Sequence, residues 1–216
     1  MLEKFVKKYL INKNLKKIKA TCTFIGKNLE ITHKTSVRLV DGSNKNDIII
    51  HDKVALISCS ITSSNNGKIE IGEYCKFGPG CSIMAANSIK VGAYTAVAIN
   101  VTITDNNNHP INPEYRRYMR TTPHGSDARS IRHSDNAPIV IGENCWIGQN
   151  VRIQKGVTIG NNSIIAANSI VTKSIPENSI AAGNPARVVK TDIDQIPAPD
   201  TCKDFNAWRE SNTPVK

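Results

Sequence analysis

One stretch of the chain, residues 105–138, concentrates side chains that could carry out chemistry. Three of the protein's five histidines lie in it: His109, His124 and His133. A neutral imidazole can take the proton of a hydroxyl group that attacks a carbonyl carbon, which contributes about 10²–10⁴-fold to a rate. The second ring nitrogen must be oriented by a carboxylate or a backbone carbonyl, and Asp105 and Glu114 are the candidates nearest to His109. The stretch also contains five arginines, and a loop of this length is usually functional.

The elements that must position this loop repeat every six residues. From Ile141 to Pro176 the sequence reads IGENCW, IGQNVR, IQKGVT, IGNNSI, IAANSI and VTKSIP, with an aliphatic residue at each first position. Neither a helix nor an ordinary strand produces this period. It is typical of a hexapeptide β-helix, in which each unit is a short strand and its turn and three units form a triangular coil. A single coil cannot bury its own apolar face, so stability is expected to come from stacking. A β-sandwich with a fortuitous period is the alternative.

The hexads divide the chain into three parts. They begin irregularly after Thr23 with anchors at Ile25, Ile31 and Val37, and turn-rich segments interrupt them twice before the long loop. They resume at Ile139 and end near residue 190. We therefore predict a helix over residues 1–20, a β-helix over 21–190 with an inserted active-site loop at 105–138, and a tail without hexads over 191–216.

Residues 1–20 hold much of the positive charge. They carry seven lysines and one glutamate, so they supply +6 of the net charge of +10. With only 5% aromatic residues the chain offers few stacking platforms for bases, and nucleic acid is not an expected partner. The segment is predicted to form a basic amphipathic helix. It would either cover the open end of the solenoid or pack on a neighbouring subunit. The alternative is contact with an anionic membrane surface.

The cysteines and the hydropathy pattern limit the cellular context. No two of the six cysteines are spaced as C-x-x-C, and Cys75, Cys81 and Cys145 fall at fifth positions of hexads, where a small buried residue is needed. We interpret them as reduced packing residues and expect no metal site. No apolar run approaches a membrane span and no signal peptide is evident, so cytoplasmic residence is expected.

Two segments, NCWIGQNVRIQKGVTIGNNSIIAANSIVTKSIP and AAGNPARVVK, resemble the hexapeptide-repeat acyltransferases. The resemblance is greatest to galactoside, maltose and capsule-sugar O-acetyltransferases, and it is strong from about Lys68 to Lys190 and weaker upstream. It implies an all-β fold, a left-handed parallel β-helix, a homotrimer, and acetyl-CoA bound in a groove between neighbouring subunits. A left-handed crossover runs against the rule for parallel strands, so the handedness rests on the resemblance alone.

The resemblance also implies roles for individual residues. Asn108-His109-Pro110-Ile111 matches the family's catalytic motif, so His109 is the expected general base. Arg116, His124 and His133 have no such support, and contact with the acceptor is left open for them. The residues matching the pantetheine slot of acetyl-CoA are Trp146, Gly148, Gln149, Ala166 and Ala167. The residues matching the neighbourhood of its phosphates and adenosine are Thr172, Lys173, Arg187 and Lys190.

One position departs from the galactoside acetyltransferases. Counting back from Ile89 places Gly80 where they use an asparagine to hold the acceptor, which puts an ordinary galactoside in doubt. The loop arginines would suit an acidic sugar, because a guanidinium pairs well with a carboxylate. Four acidic residues in the same loop weaken that inference.

The predicted function is direct acetyl transfer from acetyl-CoA to a saccharide hydroxyl, with a capsule, lipopolysaccharide or other saccharide as the acceptor. Amino-sugar N-acetyltransferases and xenobiotic acetyltransferases of the same fold are the alternatives, and a non-catalytic β-helix scaffold is a third. Serine acetyltransferases carry a large helical N-terminal domain and lipid A acyltransferases a helical C-terminal domain, and the segments flanking these hexads do not match either, so neither class is expected. The carbonic anhydrase built on this helix needs two histidines five residues apart, and none of the five here are so spaced.

Overall fold

A computed structural model describes residues 2–212 of the chain. Met1 of the predicted N-terminal helix and residues 213–216 of the predicted tail lie outside the described residues. Twenty strands, numbered β1 to β20 in chain order, form three sheets around a central core.

Each turn of the chain contributes one strand to each sheet in succession. The first sheet contains β1 (Thr23–Phe24), β4 (Ile48–Ile50), β7 (Lys68–Ile71), β10 (Ser88–Val91), β13 (Ile139–Ile141) and β16 (Thr158–Ile159). The second contains β2 (Leu29–Ile31), β5 (Val54–Leu56), β8 (Lys76–Phe77), β11 (Ala96–Val97), β14 (Trp146–Ile147), β17 (Ile164–Ile165), β19 (Ile180–Gly183) and β20 (Ala186–Lys190). The third contains β3 (Ser36–Val40), β6 (Ser60–Ser64), β9 (Ser82–Ala85), β12 (Thr102–Thr104), β15 (Arg152–Ile153) and β18 (Ile170–Val171). Neighbouring strands pair in parallel except for the final β19–β20 hairpin. The fold is a left-handed parallel β-helix, as expected.

The core consists of the hexad anchors. The anchors of the regular region are at most 1% exposed: Ile141, Ile147, Ile153, Ile159, Ile165 and Val171. In the third sheet Ile103 lies opposite Ile153, which lies opposite Val171, so each anchor stacks on the anchor of the next coil. The predicted anchor Ile25 is an exception, because it follows the end of β1 and is 50% exposed. Truncating a buried isoleucine in such a stack costs about 2–5 kcal/mol, so these contacts dominate stability.

The corners of the coils are built from residues that tolerate left-handed backbone. At one corner Asn144, Asn162 and Asn178 have φ values of 52°, 59° and 52°. Their side chains form a ladder, in which Asn144 Nδ2 donates to Asn162 Oδ1 at 3.1 Å and Asn162 Nδ2 donates to Asn178 Oδ1 at 2.9 Å. Asparagine adopts this conformation more readily than most residues, because its short amide can hydrogen-bond locally. The corners therefore keep the hexads in register.

The buried cysteines pack in the core. Cys75 and Cys81 donate their thiol protons to the carbonyls of Gly92 and Ala98. Burial raises the pKa of the Cys75 thiol to about 11 and that of Cys59 to about 12. These thiols are therefore protonated at neutral pH and are poor nucleophiles.

Helix α1 (Leu2–Thr21) has two apolar faces instead of the single face predicted. In its C-terminal half Ile18 is 1% exposed and Ile11 and Leu15 pack against the core, so this half caps the first coil. The apolar residues of its N-terminal half point away and are 40–71% exposed: Phe5, Val6, Tyr9 and Leu10. None of the described helices is long and apolar enough to cross a membrane.

Two segments complete the described chain outside the β-helix. The long insertion lies between β12 and β13 and contains helix α2 (Pro113–Thr121). The tail contains a short 3₁₀ turn (Ile193–Gln195) and helix α3 (Lys203–Asn212).

Candidate functional site

The insertion between β12 and β13 is closed at its base. Asn107 N donates to Asp135 O, and Ala137 N donates to Asp105 O, both at 2.9 Å. The loop is further organised by α2, whose N-cap Asn112 accepts a hydrogen bond from Tyr115 N. The buried Met119 anchors this helix. The start and the end of the loop are therefore held together at its base.

Asp105 joins the loop to the preceding coil. Its fully buried carboxylate accepts hydrogen bonds from the backbone N–H groups of Ala86 and Asn87, both at 2.8 Å, and from Asn106 Nδ2 at 3.1 Å. These bonds occupy the side chain that we considered as an orienting partner of His109. Asp105 consequently positions the backbone at the start of the loop.

Replacing Asp105 by alanine is expected to destabilise the protein and lower kcat without changing the acetyl-CoA KM. The buried N–H of Ala86 would lose its acceptor, at a cost of about 1–3 kcal/mol, and the more exposed N–H of Asn87 would lose its acceptor at a smaller cost. Chemical denaturation and steady-state kinetics would measure both effects. Asp135→Ala is the matched control, because Asp135 is exposed and its side chain makes one contact of 3.4 Å, with Asn107. Equal stability of the two variants would show that the Asp105 contacts do not hold the loop.

His109 lies in a cavity of about 510 Å³ between the loop and the third sheet. The loop side of this catalytic cavity is formed by residues 106–111 and Arg116, whose guanidinium donates to Ile111 O. Nδ1 of the half-buried His109 has no hydrogen-bond partner in the described part of the chain, and no protein group occupies Nε2. Neither Asp105 nor Glu114 therefore orients the ring in this single chain.

The sheet side of the catalytic cavity contains residues that sequence reasoning missed. Ser82, Thr102 and Arg152 lie side by side, in register, on successive coils of the third sheet and face outward into the cavity. Each directly precedes a core anchor. The row places two hydroxyl groups and a guanidinium opposite the histidine. Comparing every third hexad, so that successive coils are aligned, would have revealed it.

Gly80, which stands where the galactoside acetyltransferases use an asparagine, does not line the catalytic cavity. Gly80 occupies a corner with φ of 77°, and a Cβ at this position would lie 2.2 Å from Asn100 Oδ1. Glycine is therefore favoured at this turn. The preceding coil instead contributes Ser82 and Met84 to the catalytic cavity.

A separate groove of about 490 Å³ runs along the second sheet. It contains all five residues that match the pantetheine slot: Trp146, Gly148, Gln149, Ala166 and Ala167. Trp146 is 57% exposed and forms a wall, while the coils beside it approach closely. A Cβ at Gly148 would lie 2.6 Å from Ala167 N. The groove therefore offers backbone and small side chains to an elongated ligand, which suits a pantetheine arm.

The four polar residues matched to the phosphates lie in two places. Arg187 and Lys190 are on β20, paired with Ala182 and Ile180, so they extend the sheet that carries the groove. Thr172 and Lys173 follow β18 in the third sheet. All four are exposed and available to an anion.

A third cavity, of about 590 Å³, lies on the loop itself. It is lined by Pro110, Asn112, Glu114, Tyr115, Tyr118 and His133. His133 Nε2 lies 3.4 Å from Asp127 Oδ2. His124 is exposed and lines none of these cavities. The structure thus brings Glu114 and His133 together but leaves His124 apart.

Comparison with known proteins identifies related sequences. The family model described as bacterial transferase hexapeptide (six repeats) matches residues 138–173. A putative acetyltransferase of Saccharomyces cerevisiae, YJL218W, is 33% identical over 181 residues, which cover 75% of this chain and 82% of the relative. The galactoside O-acetyltransferase of Escherichia coli is 38% identical over 59% of this chain and 56% of its own length. The putative lipopolysaccharide biosynthesis O-acetyl transferase WbbJ of E. coli is 35% identical over 50% of this chain and 53% of its own length. The matched region thus spans about half the length of these two E. coli relatives.

Solved structures share the fold at lower identity. The polySia-specific acetyltransferase NeuO superposes with a TM-score of 0.59 at 22% identity, covering 88% of this chain and 93% of its own. AntD, an N-acyltransferase from Bacillus cereus, gives a TM-score of 0.66 at 20% identity, covering 93% and 96%. These similarities support the β-helix architecture.

Proposed function

The chain belongs to the hexapeptide-repeat acetyltransferase family, and from this premise we propose that it transfers an acetyl group from acetyl-CoA to a saccharide hydroxyl. The observation that carries the proposal is the pairing of two features in one chain. One is a histidine with unoccupied ring nitrogens in the catalytic cavity, and the other is the groove of small residues beside Trp146. Two relatives whose names describe O-acetyl transfer, WbbJ and the galactoside O-acetyltransferase, support a hydroxyl acceptor.

In the proposed mechanism His109 is the general base. Nε2 takes the acceptor proton as the hydroxyl oxygen attacks the thioester carbonyl, and a carbon–oxygen bond forms. The carbon–sulfur bond then breaks, and the imidazolium returns its proton to the departing sulfur. Transfer is direct, without an acetylated protein residue. Arg152 and Arg116 line the same cavity and offer positive charge to the acceptor or to the developing oxyanion.

Acetyl-CoA binding is assigned to the groove and to the nearby cations. Gly148, Ala166 and Ala167 let the pantetheine arm lie against the coil, and Trp146 and Gln149 border it. Thr172, Lys173, Arg187 and Lys190 meet the phosphates and adenosine.

We further propose that the enzyme is a homotrimer with its active sites between subunits. The catalytic cavity lies on the third sheet, the groove lies on the second, and the two share no lining residue. This separation supports a site in which each copy contributes one of the two halves. A closed threefold arrangement would form three equivalent sites of this kind.

A panel of acceptors tests the function. Thiol release from acetyl-CoA would be measured with neutral sugars, acidic sugars, amino sugars and a hydroxylated xenobiotic, and the products identified by mass spectrometry. We expect O-acetylated saccharide. Transfer only to amines would favour the amino-sugar N-acetyltransferase, transfer only to the xenobiotic would favour that class, and no release with any acceptor would favour a scaffold.

The place of action is proposed to be the cytoplasm, where acetyl-CoA is available. The exposed apolar residues Phe5 and Tyr9, together with the lysines of α1, would suit weak contact with the inner face of the membrane. Sedimentation with anionic and with neutral vesicles would measure this contact, and equal binding to both would exclude an electrostatic attachment.

Replacing Lys173 and Arg187 together by alanine is expected to raise the acetyl-CoA KM about three- to tenfold, because exposed charge contacts contribute modestly. The acceptor KM should change less. Added salt should weaken acetyl-CoA binding more in the unmodified enzyme than in the double variant, since screening removes the same attraction. Lys34→Ala with Arg38→Ala is the control, because both are exposed on early coils far from the groove. Equal effects on both KM values would place these cations elsewhere.

A further inference from the structure

The third cavity, on the loop, is lined by Tyr115, Tyr118 and His133 and is called the aromatic cavity below. We propose that it is a second acceptor subsite, which binds a sugar unit next to the one that is acetylated. The acceptor would then be an oligosaccharide or polysaccharide and not a free monosaccharide. This inference rests on the proposed function.

The aromatic rings form one connected cluster. The centroids of Tyr115 and Tyr118 lie 6.1 Å apart in an edge-on arrangement, and those of Tyr115 and His133 lie 5.7 Å apart. Tyr118 is 58% exposed, whereas the next residue, Met119, is 1% exposed. The helix α2 is thus anchored by one side chain while it presents the neighbouring ring to solvent. An exposed aromatic ring held in this way is a platform on which the C–H face of a sugar can stack.

Polar groups surround the rings. The hydroxyl groups of Tyr115 and Tyr118 have no hydrogen bond within residues 2–212. The carboxylate of Glu114 lines the same cavity, and Asp127 lies beside His133 on its rim. Such a cavity combines apolar ring faces with hydrogen-bonding groups at its edges. A saccharide has the matching features, an apolar C–H face and hydroxyl groups around its rim. A purely apolar ligand would leave these polar groups unpaired.

The aromatic cavity adjoins the catalytic one. Pro110 lines both, and it directly follows His109 in the chain. An acceptor whose reactive hydroxyl lies at His109 can therefore extend over Pro110 into the cluster. The names of two relatives fit a polymeric acceptor, since one refers to lipopolysaccharide and another to colanic acid biosynthesis.

The test compares acceptors of different length. Galactose and galactotetraose, and sialic acid and tetra-sialic acid, would be assayed with the unmodified enzyme and with Tyr118→Ala. For whichever of the two sugar types is the better acceptor, we expect kcat/KM to be higher for the tetrasaccharide than for the monosaccharide. Tyr118→Ala should reduce that advantage about five- to tenfold through the acceptor KM, which corresponds to the loss of one stacking contact. The acetyl-CoA KM should not change, and Tyr118→Phe should keep most of the advantage.

Tyr9→Ala is the matched control, because Tyr9 is 60% exposed and lies on α1. An unchanged length preference in Tyr118→Ala would overturn the subsite, as would an equal loss with both acceptor lengths. A change in oligomeric mass on light scattering would instead make the cavity an interface between copies. If the unmodified enzyme acetylates none of these saccharides, both the subsite and the proposed function fail. If it acetylates them and only the length preference is insensitive to Tyr118, the subsite alone fails.

Discussion

His109→Ala is expected to lower kcat by about 10²–10⁴-fold, the contribution typical of a positioned general base. Acetyl-CoA binding should remain nearly unchanged, because the imidazole acts on the acceptor proton and lies in a different cavity from the groove. Steady-state kinetics and direct binding of acetyl-CoA would measure the two effects separately.

The other loop histidines serve as controls for this prediction. His124 is exposed and lies outside the cavities described above, so His124→Ala should leave kcat almost unaffected. His133 lines the aromatic cavity, so His133→Ala should raise the acceptor KM more than it changes kcat. If His109→Ala kept more than about a tenth of the turnover while one of the others abolished it, the base would lie further along the loop.

Ala167→Trp is expected to raise the acetyl-CoA KM by about 10²-fold or more, because the indole would fill the groove where the pantetheine arm is proposed to lie. Ala167 is exposed, so the larger side chain can be accommodated without disturbing the core anchors. Fluorescence or calorimetric titration with acetyl-CoA would measure the loss.

A matched substitution separates blocking from general damage. Ala207→Trp adds the same ring at an exposed position of α3 and should leave acetyl-CoA binding unaltered. Unchanged acetyl-CoA affinity in Ala167→Trp would exclude the groove as the binding site, whatever the effect on stability.

The regular part of the fold could be predicted from the sequence because its physics is local and repeated. One anchor per six residues determines both the strand and its neighbour, and the corner asparagines Asn144 and Asn162 mark the left-handed turns between them. The first coil was less predictable. Ile25 fits the period but lies beyond the end of a short strand and is exposed, whereas Ile18 of α1 belongs to the core.

The site was only partly predictable, for different physical reasons. The groove residues follow the regular coils, so matching them by motif brought together five residues that do line one groove. The loop obeys no period, and its geometry depends on particular hydrogen bonds such as those from Ala86 and Asn87 to Asp105. The row of Ser82, Thr102 and Arg152 follows the hexads and could have been found by stacking them in columns of three. The aromatic cluster could not, because it arises from contacts within a loop that has no period.

We propose that the histidine of one copy acts on acetyl-CoA held in the groove of its neighbour. Mixing two variants tests this directly, when they are assayed at an acetyl-CoA concentration near the KM of the unmodified enzyme, where each variant alone has little activity. His109→Ala lacks the base but keeps the groove, whereas Ala167→Trp keeps the base and lacks the groove. If the two are co-expressed in equal amounts and assemble at random into trimers, about one quarter of the sites should combine an intact histidine with an intact groove from different copies. Acetyl transfer is then expected to recover to about a quarter of the unmodified activity. Mixed trimers with no more activity than the separate variants would show that both halves of the site come from the same chain.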